Sequence, residues 1–414
     1  MGSFSTPLSG LMAAQDQLQS VSNNLANIDT DGYKDQSLTF SDIYAQTGAT
    51  NGAGDPLQTG SGVAVSSTAS NFTEGNLNST STSSNMAISG NGFFVTQSAS
   101  GLPDYTRAGD FTVNNAGQLT TPSGELVLGY PATSGVVDTS GTLQPLQVGS
   151  GVTMPAQVST TIGFTANLDS ATAVDGTATS STLSVYDSLG APHDLSITYT
   201  KTAANTWTYA VTVPSADITG ATGTTTTVGS GTLNFNGSGT LTSTTDVVPI
   251  SIPTLADGAT SPLTLSGPFG TAADPTITQT ASASTTSTAT TDGFQSGTLS
   301  TYAVQPDGTI EGTFSNGSTL AVGQVAVASF ANVQGLASIG NNNYQPTAAS
   351  GSAVVGLAGT GGRGTIVGGS VEQSNVNIAS EFAKLIVAQQ AYSANAKSIT
   401  TFNQVSQATL AMIQ

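Results

Sequence analysis

The chain of 414 residues contains no cysteine, one histidine and only six lysine and arginine residues. The absence of cysteine excludes a disulfide framework and a thiolate metal site, and a single histidine, His193, excludes any site that needs two imidazoles. Because the six basic residues stand against 24 acidic ones, the net charge is -18. The chain therefore lacks the basic residues that would neutralise a row of phosphates, and we expect no nucleic acid partner.

Long apolar runs are also missing. No stretch of the sequence reaches the roughly 18 consecutive apolar residues of a membrane span. Residues 1–30 lack the basic and apolar regions of a secretory signal peptide. We expect neither membrane insertion nor a cleaved signal peptide.

Motifs that carry catalysis or bind cofactors are incomplete. His193 follows Leu189-Gly190 and reads as a turn residue between strands, and no G-x-S-x-G elbow accompanies it. Residues 359–364 match G-x-G-x-x-G, yet no helix start follows them. Asp29-Thr30-Asp31-Gly32 resembles the start of a calcium loop, but Phe40 occupies the twelfth position, where a glutamate is required. We expect no enzyme activity, no cofactor and no metal site.

Both ends of the chain carry the apolar spacing of helices. Near the N-terminus apolar residues recur at alternating intervals of three and four, and near the C-terminus at sevens, which is typical of a heptad seam. Each helix would need a partner for its apolar face: the protein's own body, the other helix or copies of the chain. The residues of this predicted seam are Leu11, Leu18, Val21, Leu25 and Ile28 at one end and Ile378, Phe382, Leu385, Tyr392, Ile399 and Phe402 at the other.

Between the ends, short β-prone runs alternate with glycine and asparagine turns. Phe111-Thr112-Val113 followed by Asn114-Asn115-Ala116-Gly117 predicts a hairpin. The pattern predicts an α+β fold, mainly β, in which nested β-rich domains lie between N- and C-terminal helices that pair in a coiled-coil-like terminal domain. The predicted parts are a helical terminal domain at 1–30 and 372–414, an extended connector at 31–70 and 358–371, an inner β domain at 71–147 and 298–357, and an inserted outer β domain at 148–297.

Several segments resemble the bacterial flagellar rod and hook proteins. Residues 375–395 resemble the C-terminal helix of that group, 88–94 and 105–111 its core β domain, and 164–169 and 185–190 the outer domain of its hook members. Residues 24–34, NLANIDTDGYK, are similar to the signature N-x-A-N-x-x-T-x-G-[FY]-K through Asn24, Asn27, Thr30, Gly32, Tyr33 and Lys34.

The resemblance implies a structural subunit that polymerises into the flagellar hook, a flexible tube that transmits torque from rod to filament. It implies export through the flagellar type III apparatus to a position outside the cell surface. The implied partners are further copies of the chain, the distal rod protein, the hook cap protein and the hook–filament junction protein. Two alternatives stay open: a distal rod or hook–filament junction protein, and an extracellular adhesin or surface-layer protein, which the acidic, threonine-rich middle suggests.

Overall fold

The computed structural model describes residues 4–43, 46–50, 56–149, 151–245, 250–269 and 276–413. The chain divides into two compact units. The terminal unit comprises residues 1–150, 301–312 and 319–414, and the inserted unit comprises residues 151–300 and 313–318. Because both chain ends belong to the terminal unit, the inserted unit interrupts it in sequence. The finer division of the terminal unit into helical domain, connector and inner β domain stays a prediction.

The described part of the terminal unit contains two α-helices: α1 at Ser5–Ala26 and α2 at Ile378–Ile413. The side chain of Asn377 accepts a hydrogen bond from the Ser380 amide at 3.1 Å, which satisfies one free amide of the first turn of α2. Ile28 lies beyond the end of α1, although the heptad spacing includes it. Apolar spacing carries no information about where a helix stops, and here the chain turns away at Asn27.

The first part of the terminal unit is a series of strands. The strands are β1 (Gln36–Asp42), β2 (Gln46–Thr50), β3 (Pro56–Thr59), β4 (Val63–Ser70), β5 (Leu77–Ser79), β6 (Met86–Ser89), β7 (Phe93–Gln97), β8 (Pro103–Thr106), β9 (Thr112–Val113), β10 (Leu119–Thr120), β11 (Leu126–Val137) and β12 (Gln144–Pro145). β1 pairs with β4 and β2 with β3, both antiparallel. The predicted extended connector thus contains regular strands, while its positions 44–45 and 51–55 lie outside the described residues.

The inserted unit follows, and it is also built of strands, with a short 3₁₀ turn at Ser215–Asp217. Its strands are β13 (Thr153–Met154), β14 (Ile162–Asp169), β15 (Thr177–Tyr186), β16 (Pro192–Ala203), β17 (Thr206–Pro214), β18 (Thr225–Phe235), β19 (Leu241–Thr245), β20 (Ile250–Ile252), β21 (Leu263–Leu265), β22 (Ile277–Thr280) and β23 (Thr285–Thr291). His193, expected in a turn, is the second residue of β16 and is buried.

The chain passes between the units within β24 (Gly297–Val304) and β25 (Thr309–Phe314). A second 3₁₀ turn lies at Val333–Gly335. The last strands, all in the terminal unit, are β26 (Thr319–Ser329), β27 (Ala337–Gly340), β28 (Asn343–Gln345), β29 (Val354–Leu357), β30 (Thr365–Gly368) and β31 (Ser370–Glu372). The predicted hairpin is confirmed, since β9 and β10 pair antiparallel with Val113 opposite Leu119.

The main sheet of the terminal unit is buried on both faces. Its strand order includes β26, β11, β7, β8, β28 and β27. Along β7, Phe93 and Val95 join one buried apolar cluster, whereas Phe94 joins a second. Val325 and Ala326 of β26 divide between the two clusters in the same way. Successive side chains of a strand point to opposite faces, so a continuous apolar run such as residues 93–95 fits a strand with core on both sides.

The described residues of the inserted unit share one apolar core. β15 to β19 form an antiparallel sheet in sequence order, and one face of its central strands is apolar. Leu195, Ile197 and Tyr199 of β16 and Trp207 and Tyr209 of β17 are buried at alternate positions. They join one cluster with residues of β14, β20, β21 and β22. Alternation along each strand therefore gives this sheet one covered face and one more accessible face.

Candidate assembly surface and its buried junction

The two helices of the terminal unit pack against each other and run antiparallel. The rings of Phe4 and Phe402 lie 6.0 Å apart at one end of the pair. At the other end, the side-chain amide of Asn24 donates to Glu381 Oε2 at 3.1 Å. These contacts connect the start of each helix with a later part of the other.

The residues of the predicted seam range from buried to exposed. In α1, Val21 is buried, and Leu11, Leu18 and Leu25 are half-buried. In α2, Leu385 and Ile399 are half-buried. The other predicted α2 residues are exposed: Ile378, Phe382, Tyr392 and Phe402. The apolar residues of α2 occupy more than one face, so pairing with a single helix leaves part of them uncovered.

The helix pair carries an exposed apolar surface. α2 spans 36 residues, about 54 Å, against about 33 Å for the 22 residues of α1. Residues 400–412, at the far end of α2, are exposed throughout. Single exposed apolar residues are common, but this many on two adjoining helices indicate a contact surface. The exposed helix surface comprises Phe4, Leu8, Met12, Ile378, Phe382, Ile386, Val387, Tyr392, Phe402, Val405, Leu410 and Met412.

The charge of the helix pair would not oppose contact with further copies. α1 carries one charged residue, Asp16, and α2 carries three: Glu381, Lys384 and Lys397. The pair therefore has two acidic and two basic side chains and a net charge of zero. Like-charge repulsion between identical helix pairs is small under these conditions.

A buried charged cluster lies where the ends of the chain meet the β-strands. Both Lys34 and Glu372 have fully buried side chains, and Lys34 Nζ lies 2.5 Å from Glu372 Oε1. Arg107 Nη1 lies 3.3 Å from Glu372 Oε2, and the Gly75 amide donates to Glu372 Oε1 at 2.8 Å. The Glu372 carboxylate thus pairs with Lys34 and Arg107 and accepts a hydrogen bond from the Gly75 amide. It joins the three segments that carry these residues to β31.

The buried charges of this cluster compensate one another. Burial lowers the pKa of Lys34 and of Arg107, and in each case the nearby charge of Glu372 opposes that shift. Lys34 also donates to the Thr73 carbonyl at 2.8 Å. Such charges are tolerated in the interior because they are paired and hydrogen-bonded, and removal of one partner leaves the others uncompensated.

The residues of the 24–34 signature build the turn that leads from α1 to β1. Asn24 Oδ1 accepts hydrogen bonds from the Tyr33 hydroxyl at 3.1 Å and the Gln36 amide at 2.9 Å. Thr30 Oγ1 donates to Asn27 Oδ1 at 3.2 Å. These bonds fix the path of the chain between the helix and the strand. We call Asn24, Tyr33, Lys34, Arg107, Glu372 and Glu381 the junction.

Gly32 shows why this turn needs glycine. Its φ is +70°, in the left-handed region that favours glycine. A Cβ at this position would lie 2.4 Å from the backbone nitrogen of Ala108. Its amide donates to the Glu372 carbonyl at 2.7 Å. The turn at Gly32 therefore packs directly against the backbone of Arg107 and Ala108.

Comparison with protein families finds flagellar matches at both ends of the chain and in its middle. Residues 4–34 match the family described as flagella basal body rod protein, and residues 87–167 match the flagellar hook protein FlgE/F/G D1 domain. Residues 153–294 match the flagellar basal body protein FlaE D2 domain, and residues 367–412 match the flagellar basal body rod FlgEFG protein C-terminal family.

Relatives match over nearly the full length. The chain is 34% identical to the flagellar hook protein FlgE of Escherichia coli (strain K12), over 97% of this chain and 98% of that one. It is 32% identical to the flagellar hook protein FlgE of Treponema pallidum (strain Nichols), over 97% of both. The chain belongs to the flagellar hook protein FlgE family.

A solved structure of a hook protein agrees in fold. The crystal structure of Helicobacter pylori flagellar hook protein FlgE2 superimposes with a TM-score of 0.51 at 15% identity, covering 72% of this chain and all of that one. Within the described residues of this FlgE family member, no helix has the length and apolar character needed to span a membrane.

The acidic residues of the junction in this hook protein family member, Glu372 and Glu381, were not predicted from the sequence. Lys34 was part of the signature, but its partner Glu372 lies 338 positions away in the sequence. One signal was available: basic residues are scarce in this chain. Three of the six, Lys34, Arg107 and Lys384, pair with Glu372 or Glu381.

Proposed function

We infer that this chain is a structural subunit of the bacterial flagellar hook, which polymerises into a flexible tube and transmits torque from rod to filament. The observation that carries this inference is the match to hook proteins over 97% of the chain. The match includes the inserted unit, through residues 153–294. The distal rod, hook–filament junction and adhesin or surface-layer alternatives are not better supported than a hook subunit.

We propose that the exposed helix surface is the contact between subunits. In the proposed arrangement, α1 and α2 of one subunit form coiled-coil-like contacts with the helices of its neighbours. The far end of α2 supports this proposal, since Val405, Leu410 and Met412 expose 58%, 63% and 81% of their surface. Burial of apolar surface is the main source of stability in such contacts. The neutral charge of the helix pair is compatible with close packing of many copies.

The remaining partners follow from a place in the flagellum and are also proposals. They are the distal rod protein below the hook, the hook cap protein during growth and the hook–filament junction protein above it. The flagellar type III apparatus would export the chain without a cleaved signal peptide. Absence of cysteine is compatible with that route, because an unfolded chain without disulfides has no covalent cross-links to open.

Complementation tests the proposed function directly. A strain that lacks its hook gene should assemble rods without hooks, and expression of this chain in its own species should restore hooks visible by negative-stain electron microscopy. Hooks that are still present in the deletion strain would contradict the proposal. A strain that loses filaments but retains hooks would instead favour the hook–filament junction alternative.

A further inference from the structure

The one histidine of the chain lies among three aspartates inside the inserted unit. His193 is 5% exposed. Its Nε2 atom lies 3.2 Å from Asp187 Oδ2 and 3.9 Å from Asp257 Oδ2, and its Nδ1 atom lies 3.2 Å from Asp217 Oδ2. Nδ1 is buried and makes no hydrogen bond. A buried imidazole is thus placed between carboxylates on both of its nitrogen atoms.

The turn between β15 and β16 fixes the Asp187 carboxylate. Asp187 Oδ1 accepts hydrogen bonds from the amides of Leu189 at 2.8 Å and Ala191 at 2.9 Å, which leaves Oδ2 directed at His193. The turn therefore holds the second oxygen of this buried carboxyl group beside the imidazole, 3.2 Å from His193 Nε2.

The cluster is rich in carboxyl groups and poor in basic ones. Three carboxyl groups face one imidazole, and among the described residues the ion pairs of Asp187, Asp217 and Asp257 are all with His193. The sequence of the inserted unit contains a single lysine and no arginine. That lysine, Lys201, is bound elsewhere: its Nζ donates to the Ser170 carbonyl at 2.5 Å and lies 5.8 Å from the ring centre of Trp207. The buried imidazole, the buried Asp187 carboxyl group and the two partly exposed carboxyl groups therefore offer nitrogen and oxygen donors to a cation from outside the chain.

The geometry of the group matches that of a metal site. One ligand atom from each of Asp187, His193 and Asp257 lies within 4.8 Å of the other two. Ligand atoms in a tetrahedral zinc site, about 2.0–2.1 Å from the metal, lie about 3.3 Å from one another. The 3.2 and 3.9 Å separations from Nε2 to the two carboxylates are close to that spacing.

We propose that Asp187, His193 and Asp257 bind a divalent transition-metal ion, for which Zn²⁺ is the probe of choice. In the proposed site His193 binds through Nε2, and Asp217 Oδ2, 3.2 Å from Nδ1, is close enough to hold the ring once Nδ1 carries the proton, as carboxylates do behind metal-bound histidines. One nitrogen and two carboxylate oxygens leave a fourth position for water. The ion ties the β15–β16 turn to the segment between β20 and β21 and so stabilises the inserted unit.

Zinc titration of the purified full-length chain after chelator treatment tests the proposal. We expect one saturable site by calorimetry, and a rise in the melting temperature reported by fluorescence of Trp207, the one tryptophan of the chain, which is buried in the inserted unit. Asp257→Asn removes a ligand whose side chain is 32% exposed, so the core stays intact. We expect it to weaken zinc binding at least tenfold, and Asp217→Asn to weaken it about tenfold.

The matched control is Asp194→Asn. Asp194 neighbours His193 in β16 but accepts a hydrogen bond from Ser184 and is exposed, so zinc affinity should stay unchanged. Replacement of zinc by cobalt should give the visible absorption of a nitrogen- and oxygen-ligated metal ion in the unmodified chain and lose it in Asp257→Asn. The proposal is overturned if millimolar zinc gives no saturable binding, or if Asp257→Asn binds zinc as tightly as the unmodified chain.

Discussion

The helix pair and the inserted unit differ in how they treat their apolar residues. The inserted unit buries most of its described large apolar side chains in one cluster, with Trp207 and Leu195 fully covered. The helix pair leaves Ile386, Val387 and Leu410 more than half exposed. Their charges differ as well, since the helix pair is neutral whereas the inserted unit has nine aspartates against one lysine, a net charge of -8.

This contrast indicates two kinds of folding unit. A region that covers its apolar surface and carries like charge on every copy is stable alone and tends to stay apart from its copies. A region with exposed apolar helices and no net charge is completed by neighbours. The following predictions are ordered by their expected effect on the free energy of unfolding.

Glu372→Gln should give the largest difference between the urea unfolding of the terminal unit and that of the inserted unit. It leaves Lys34 and Arg107 buried without the carboxylate that pairs with both, and loss of one partner of a buried ion pair costs about 3–5 kcal/mol. The helical circular dichroism signal should unfold at lower urea, while Trp207 fluorescence, which reports the inserted unit, should keep its midpoint. Asp138→Asn, at a fully exposed carboxyl, is the control and should leave both signals unchanged. A joint shift of both signals for Glu372→Gln would show that the units unfold together.

Gly32→Ala should destabilise the terminal unit by less than Glu372→Gln but by more than backbone strain alone. The control is Gly124→Ala, because Gly124 has φ +90° with no atom within 4 Å of the added Cβ. A left-handed alanine costs about 1–2 kcal/mol, and the overlap of the Gly32 Cβ with the Ala108 main chain adds to that cost. Urea unfolding of both variants measures the difference, and equal losses would contradict the packing argument.

Of the three changes, removal of the inserted unit should have the smallest effect on the free energy of unfolding of the terminal unit. Replacement of residues 151–300 by a short Gly-Ser linker should leave the helical circular dichroism of the subunit in place. We expect the variant to be exported and to polymerise, with hooks of altered curvature by electron microscopy. Complete loss of assembly despite normal export would show that the inserted unit is needed for polymerisation itself.

Much of this contrast was visible in the sequence. The heptad spacing predicted both helices, and Phe111-Thr112-Val113 followed by Asn114-Asn115-Ala116-Gly117 predicted the hairpin that the structure confirms. The spacing could not tell which face of α2 meets α1, because apolar residues lie on more than one of its faces. Leu385 is half-buried, whereas Phe382, three residues earlier, is exposed.

Contacts between residues that are far apart in the sequence could not be predicted from it. Glu372 and Lys34 are brought together only by the fold, and nothing local marks a carboxylate as buried. His193 was expected in a turn because Leu189-Gly190 and Pro192 surround it, yet it is already within β16. The turn ends earlier because the Asp187 side chain, through its hydrogen bonds to two amides, closes the turn before Pro192.

The central claim is that the exposed helix surface joins subunits, and Val405→Asp tests it most directly. Val405 is 58% exposed, so the purified subunit should keep its melting temperature, but a charge in a desolvated helix contact should prevent hook assembly. Gln389→Glu, which also adds one negative charge to an exposed position of α2, should be tolerated far better. We predict no hooks by electron microscopy in cells that express Val405→Asp and hooks in cells that express Gln389→Glu. Normal hooks with Val405→Asp would contradict the claim.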